Sequence, residues 1–235
     1  MIIFVIMKYY VVLSLFLAMC FEILAQDAGS AGTGELDLKL SEMGFVDVAT
    51  LDTAIVVDLM YARDDNFVGR AMYDGLTRAW LHPRAADALK TAQEELSRLH
   101  PGYGLKVCDA SRPMSVQKQM YATVRGTSKA RYVSNPANGG GLHNYGLAVD
   151  VTIVDGNGEE LDMGTKVDHL GTEAGVSHEA EMVAAGVITA QAVKNRELLR
   201  SVMKKGGFRP LPSEWWHFNL VSRPTAKASY KVLDF

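Results

Sequence analysis

Four residues in two short segments carry side chains that could do chemistry together. His143 and Asp150 lie in Gly141-Leu-His-Asn-Tyr-Gly-Leu-Ala-Val-Asp150, and Glu214 and His217 lie in Glu214-Trp-Trp-His217. Two imidazoles and one carboxylate fill three corners of a tetrahedral zinc site and leave the fourth for water, as a catalytic ion requires. Glu214, close in sequence to His217, is placed to take a proton from that water. The set points to a zinc hydrolase with one Zn2+ per chain, held by His143, Asp150 and His217.

The spacing constrains the backbone that must deliver these groups. His143 and Asp150 are seven apart, and Glu214 and His217 are three apart. On an ideal strand an odd separation puts side chains on opposite faces, so a shared site requires irregular backbone inside each segment. Gly146 permits this in the first. In the second, Glu214 is expected at the strand entrance, with a bulge or bend around Trp215 and Trp216. The two indoles are expected to pack in the core, one on each sheet face.

The surrounding elements read as follows. Residues 54–59 (Ala-Ile-Val-Val-Asp-Leu) look like a strand. Arg84 to Leu99 places Ala85, Ala88, Leu89, Ala92, Leu96 and Leu99 at helical spacing behind Pro83, which predicts a core-facing helix. A strand is expected over 104–110 and a helix over 116–124. Leu147 to Val154 is a β-rich run ending at Asp155-Gly-Asn-Gly158, which predicts a hairpin. Ala190 to Lys205 has helical periodicity and stops at Gly206-Gly207. Residues 208–221 read as one strand-like stretch. Strands and helices mixed without βαβ alternation predict an α+β single domain, a mainly antiparallel sheet flanked by helices, with the zinc site at the sheet.

Composition sets the outer limits. The chain has 235 residues and a net charge of −3, which carries neither a nucleic-acid footprint nor an acidic tail. Tyr9 to Phe21 is an uncharged, mostly apolar run after Lys8, the pattern of a signal peptide. Residues 1–25 are therefore expected to be a leader cut after Ala25, residues 26–35 (rich in Gly, Ser and Ala) a flexible linker, and residues 36–235 the domain. Met7 competes with Met1 as the start, and Cys20 offers lipid attachment as an alternative to cleavage. No stable membrane span is expected after processing. Cys108 is then the one remaining cysteine, so no internal disulfide is expected, and its place in a strand predicts an inert buried thiol.

Beside the two motifs stands Ser111-Arg112-Pro113, leading from a strand into a helix. Taken together, the set resembles the zinc D-alanyl-D-alanine dipeptidases of the VanX type, within the wider superfamily of D-Ala-D-Ala-cleaving metallopeptidases. Their signature is Ser-x-His-x-x-Gly-x-Ala-x-Asp followed by Glu-x-Trp-His. His143, Gly146, Ala148 and Asp150 match the first part; Glu214, Trp216 and His217 match the second. Tyr61-Ala, Asp65-Asn-Phe67, Met163-Gly-Thr165, Asp168 and the helix with Asn195-Arg196 and Leu199-Arg200 add to the likeness, which runs from about Asp47 to near the C-terminus.

The resemblance implies roles. His143, Asp150 and His217 would bind zinc. Glu214 would be the general base and then the general acid. Arg112 would stabilise the oxyanion or steer the carbonyl, and Asp168 and Tyr61 would recognise the substrate, Asp168 by pairing with its ammonium. The chain departs from the signature at Gly141, where the family has serine. The implied substrate is free D-Ala-D-Ala. The alternatives are a D,D-carboxypeptidase or peptidoglycan endopeptidase of the same superfamily, and a non-catalytic cell-wall binding domain. Asp168 favours the dipeptidase over the former, and Glu214 argues against the latter. Export would place the activity in the periplasm or cell envelope, in peptidoglycan turnover or dipeptide salvage. The sequence is silent on oligomeric state.

Overall fold

The run ending at Val154 becomes the middle strand of a five-stranded sheet, and everything at the site hangs from it. The computed structural model of the chain describes residues 34–235; the expected leader and nearly all of the expected linker lie outside the described residues. In chain order the elements are α1 (Glu35–Glu42), β1 (Val46–Asp47), β2 (Val56–Val57), β3 (Trp80–Leu81), α2 (Pro83–Leu99), β4 (Gly104–Asp109) and α3 (Met114–Val124). There follow β5 (Ala148–Val154), α4 (Glu179–Ala184), α5 (Ala190–Lys205), β6 (Arg209–Leu211), β7 (Glu214–Asn219) and α6 (Arg223–Ser229). Gly34 and Glu35, at the end of the linker by composition, are the N-cap and first residue of α1.

The sheet order is β2-β4-β5-β7-β6. β4, β5, β7 and β6 pair antiparallel, as expected; β2 joins β4 in parallel, which makes the sheet mixed at that edge. β1 and β3 form a separate antiparallel pair. Every residue of β5 is buried. A strand covered on both faces has no reason to alternate, which is why the sequence 148–154 is apolar except at Asp150 and Thr152. A carboxylate in the middle of such a strand is costly to bury unless partners hold it.

α2 and α5 pack against each other and against β4 and β6 respectively. Leu89, Ala92 and Leu96 of α2 meet Leu199, Val202 and Met203 of α5 and Leu105 and Val107 of β4 in one core. The periodicity of α2 is as expected except at its last residue, since Leu99 is 40% exposed. Several expectations are corrected. The strand at 54–59 shrinks to Val56–Val57, because only these two residues find a partner in β4. Residues 208–221 form two strands, β6 and β7, folded on each other around Pro212 and Ser213. The turn after β5 returns through a single bridge, Val154 to Glu160, and not through a second full strand.

Candidate active site

Three cross-strand neighbours form the floor of the site. Asp109 of β4 is paired with Asp150 of β5, and Asp150 is paired with His217 of β7. Directly opposed residues share a face, so the pairing lays two carboxylates and an imidazole in one row. Both outer members reach that row through a local irregularity. On β4 the register shifts between Val107 and Asp109, so Cys108 is an extra residue and Asp109 is turned onto the face of Asp150. On β7, Leu211 pairs with Glu214 and Pro210 with Phe218. Three residues, 215–217, have no counterpart on β6, and this bend brings Glu214 and His217 to one site despite their odd spacing. The expected bulge is there. The indoles, however, do not straddle the sheet. Their rings meet edge to face, 5.3 Å apart, with Trp216 on the cavity wall and the Trp215 Nε1–H donating to Thr165 Oγ1 at 2.8 Å.

His143 arrives from outside the sheet. It sits in a 3-10 turn, Leu142–Tyr145, which ends at Gly146 with φ 64°. That left-handed conformation suits glycine, and a Cβ there would run into the Phe45 ring and the Ser111 hydroxyl. The turn is laced to the Arg112 segment: Arg112 N–H donates to the His143 carbonyl at 3.0 Å, and Asn144 Nδ2 donates to the Arg112 carbonyl at 2.8 Å.

The ligand atoms of His143, Asp150 and His217 lie within 4.8 Å of one another. His143 Nδ1 meets the Ala110 carbonyl at 2.7 Å, so it carries the proton and Nε2 offers its lone pair to the site. His217 Nε2 meets Asn219 Oδ1 at 2.9 Å, which leaves Nδ1 inward. The two inward nitrogens are 3.2 Å apart and lie 3.4 Å and 3.0 Å from Asp150 Oδ1. Three acceptors facing one another repel unless a cation sits among them. Burial lowers the pKa of His143, but the charges of Asp150 and Asp109 and the hydrogen bond to Asp150 together outweigh it, and the net shift is upward. Burial likewise opposes ionisation of Asp150, yet His143 and His217 hold it well below the usual carboxylate range. A proton is one cation that relieves this cluster; a metal ion is the other. Two imidazole nitrogens whose outer N–H groups are tied, plus one carboxylate, are the donors that zinc takes.

All seven residues singled out from the sequence line one cavity of about 340 Å³. Glu214 is buried, and burial, reinforced by the charges of Asp150 and Asp168, lifts its pKa to about 7 despite the opposing pull of His217. Arg112 is buried and held by Asp109 through Nε at 3.1 Å and through Nη2, and by Gln117 Oε1 at 3.0 Å. Its guanidinium lies 5.0 Å from the centre of the Tyr61 ring. Tyr61 donates to Asp168 Oδ1 at 2.7 Å, and the Phe67 N–H donates to Oδ2 at 3.0 Å. Burial lifts Asp168 to about 7, with these two donors opposing the shift. Asp168 has φ 68°, the one positive value off glycine among the described residues, and such strain persists only where surroundings impose it.

The segment that carries Asp168 is held from α5. Asn195 Nδ2 donates to the Asp162 carbonyl at 2.7 Å, and Arg196 donates to the carbonyls of Met163 at 2.8 Å, Glu173 at 3.0 Å and Gly175 at 3.4 Å. Arg200 holds Glu179 with two bonds of 2.8 Å. The helix thus clamps both ends of the segment that carries Asp168. Sequence reasoning did not find Asp109, Gln117 or Asn219. Asp109 carries a readable signal, an acid three residues before Arg112, but the bulge that aims it is invisible in the sequence.

The chain matches the family described as D-ala-D-ala dipeptidase over residues 41–234. It is 34% identical over 188 residues to a D-alanyl-D-alanine dipeptidase of Escherichia coli (strain K12), an alignment that covers 80% of this chain and 88% of that protein. It is 32% identical over 204 residues to a D-alanyl-D-alanine dipeptidase of Streptomyces coelicolor (strain ATCC BAA-471 / A3(2) / M145), covering 78% and 93%. Identity to that of Enterococcus faecium is 28% over 204 residues, covering 78% and 94%.

Proposed function

Since the chain belongs to the D-ala-D-ala dipeptidase family of metallopeptidases, we propose that it hydrolyses the peptide bond of free D-Ala-D-Ala with one zinc ion held by His143, Asp150 and His217. The observation that carries this is the convergence of these three side chains at the sheet, with Glu214, Arg112 and Asp168 around one cavity. When bound, zinc supplies Lewis acidity to the attacking water and to the scissile carbonyl.

The chain's own groups supply the rest. Glu214 takes a proton from the attacking water and gives it to the leaving amine. With a pKa of about 7 it can do both near neutrality. Arg112 offers fixed positive charge to the oxygen that becomes anionic, and Asp109 and Gln117 keep that guanidinium from turning away. Asp168, oriented by Tyr61 and Phe67 N–H, pairs with the substrate's ammonium. A blocked N-terminus would leave that carboxyl without its partner, so free dipeptides are selected over acylated chains. With the apolar run at 9–21 acting as an export signal, the reaction belongs to the cell envelope, in peptidoglycan turnover or dipeptide salvage.

The test is a comparison of purified protein on free D-Ala-D-Ala, on its N-acetylated form and on a muramyl pentapeptide. Fast cleavage of the free dipeptide alone is the expected result. Asp168→Asn should weaken kcat/KM for it strongly, since breaking a buried pair typically costs about 3–5 kcal/mol, and should narrow the gap to the acetylated substrate. Equal cleavage of both by the unmodified chain would sink the dipeptidase reading.

A further inference from the structure

We propose that Ser134 is a specificity-determining residue of this site, and that its hydroxyl and the Arg223 guanidinium together receive the carboxylate end of the substrate; this rests on the dipeptidase reading above. Position 141 is where the sequence departs from its family signature, and it lies on the cavity wall beside Ser134. A Cβ built on Gly141 would stand 2.8 Å from Ser134 Oγ and 3.2 Å from Ser134 Cβ. The Ser134 side chain therefore fills the space that any larger residue at 141 would need. A hydroxyl reaches this stretch of wall from a different loop.

The hydroxyl is free to work. Ser134 Oγ makes no hydrogen bond among the described residues, whereas its backbone is fixed. The Ser134 carbonyl accepts from Gln117 Nε2 at 2.7 Å, and Gln117 Oε1 accepts from Arg112 Nη1 at 3.0 Å. The loop is thus tied to the guanidinium of the reacting centre. Arg223 lines the same wall and donates to the carbonyl of Gly140, next to Gly141. It has no carboxylate partner among the described residues. A guanidinium and a hydroxyl donor lining one cavity are what a carboxylate accepts from. A free dipeptide carries opposite charges at its two ends. The cavity lining carries partners for both, the Asp168 carboxyl for one end and the Ser134 and Arg223 donors for the other.

The experiment measures kcat and KM for D-Ala-D-Ala and for its C-terminal carboxamide in the unmodified chain, Ser134→Ala, Arg223→Gln and the double variant Ser134→Ala/Gly141→Ser. The unmodified chain is expected to prefer the acid. Ser134→Ala should raise KM for the acid roughly 10–100-fold, the range for one hydrogen bond to a charged group, with kcat and the amide reaction little changed. Arg223→Gln should move the preference in the same direction. The double variant returns a hydroxyl across the 2.8 Å gap and should recover part of the preference. If Ser134→Ala keeps the full preference for the acid, or slows both substrates alike, the inference is overturned while the dipeptidase reading stands. A chain that cuts neither substrate overturns both.

Discussion

At the scale of single residues, the site depends on carboxyl groups whose surroundings divide them into different tasks. Asp150 is kept ionised by two imidazoles, while Glu214 and Asp168 are pushed to about 7, first of all by burial. Glu214→Gln should keep its metal and lose about 10²–10⁴-fold in turnover, the usual worth of a general acid–base group. Metal content and kcat measured on one preparation check this, and a variant that loses its metal would reassign Glu214 as a ligand. Asp168 makes a pH prediction. Its folded pKa lies above the unfolded value of about 3.9. Between those values the folded chain holds a proton that the unfolded chain has released, so stability falls as pH rises and the loss is complete above about 7. Asp168→Asn lacks this loss. Its stability relative to the unmodified chain should climb from pH 4 to 7, by at most about 1.4 kcal/mol per unit, then level off. Urea unfolding across that range decides, and a gap that does not change with pH would refute it. Cys108, lifted by burial to about 12, should resist alkylation at pH 8 until the chain unfolds, as its place in a strand led one to expect.

At the scale of elements, α5 does more than fill the core. Its Arg196 satisfies three carbonyls of the 163–175 segment. Arg196→Met would leave them without this donor, at roughly 1–3 kcal/mol for the buried Met163 carbonyl and less for the two half-buried ones. The expected outcome is a lower melting temperature together with a raised KM for the dipeptide, while the metal stays bound. An unchanged KM would mean that the clamp is not what places Asp168. The helices were legible because 3.6-residue periodicity, the start at Pro83 and the stop at Gly206-Gly207 are local signals. So was the need for irregular backbone at Gly146 and at Trp215–Trp216, since parity alone demands it. The bulge at Cys108 was not, because a register shift is decided jointly by two strands. That is why Asp109 was missed although it grips Arg112. The contact between the two indoles was hidden for the same reason. β2 was overestimated because its apolar residues describe burial, and only pairing with β4 sets strand length.

At the scale of the whole molecule, the core and the site are separable. The apolar contacts of α2, α5 and β4 need no ion, whereas His143, Asp150 and His217 crowd three acceptors together. Chelation should therefore abolish hydrolysis and lower the melting temperature while leaving the far-ultraviolet circular dichroism nearly unchanged. Collapse of that spectrum on chelation would show that the ion is needed for folding. Among the described residues no helix is long and apolar enough to cross a membrane.

The two outermost strands of the sheet have a bearing on how the protein behaves in a crowd of its own copies. β2 is two residues long, and β6 is three residues long with Pro210 at its centre. Unpaired strand edges are where chains zip into aggregates. Here one border is too brief to template a neighbour, and the other lacks a backbone N–H where an incoming strand would seek one. Neither flank of this sheet therefore offers an incoming chain a long, regular edge to pair with. Replacing Pro210 with valine is the change most apt to remove that safeguard.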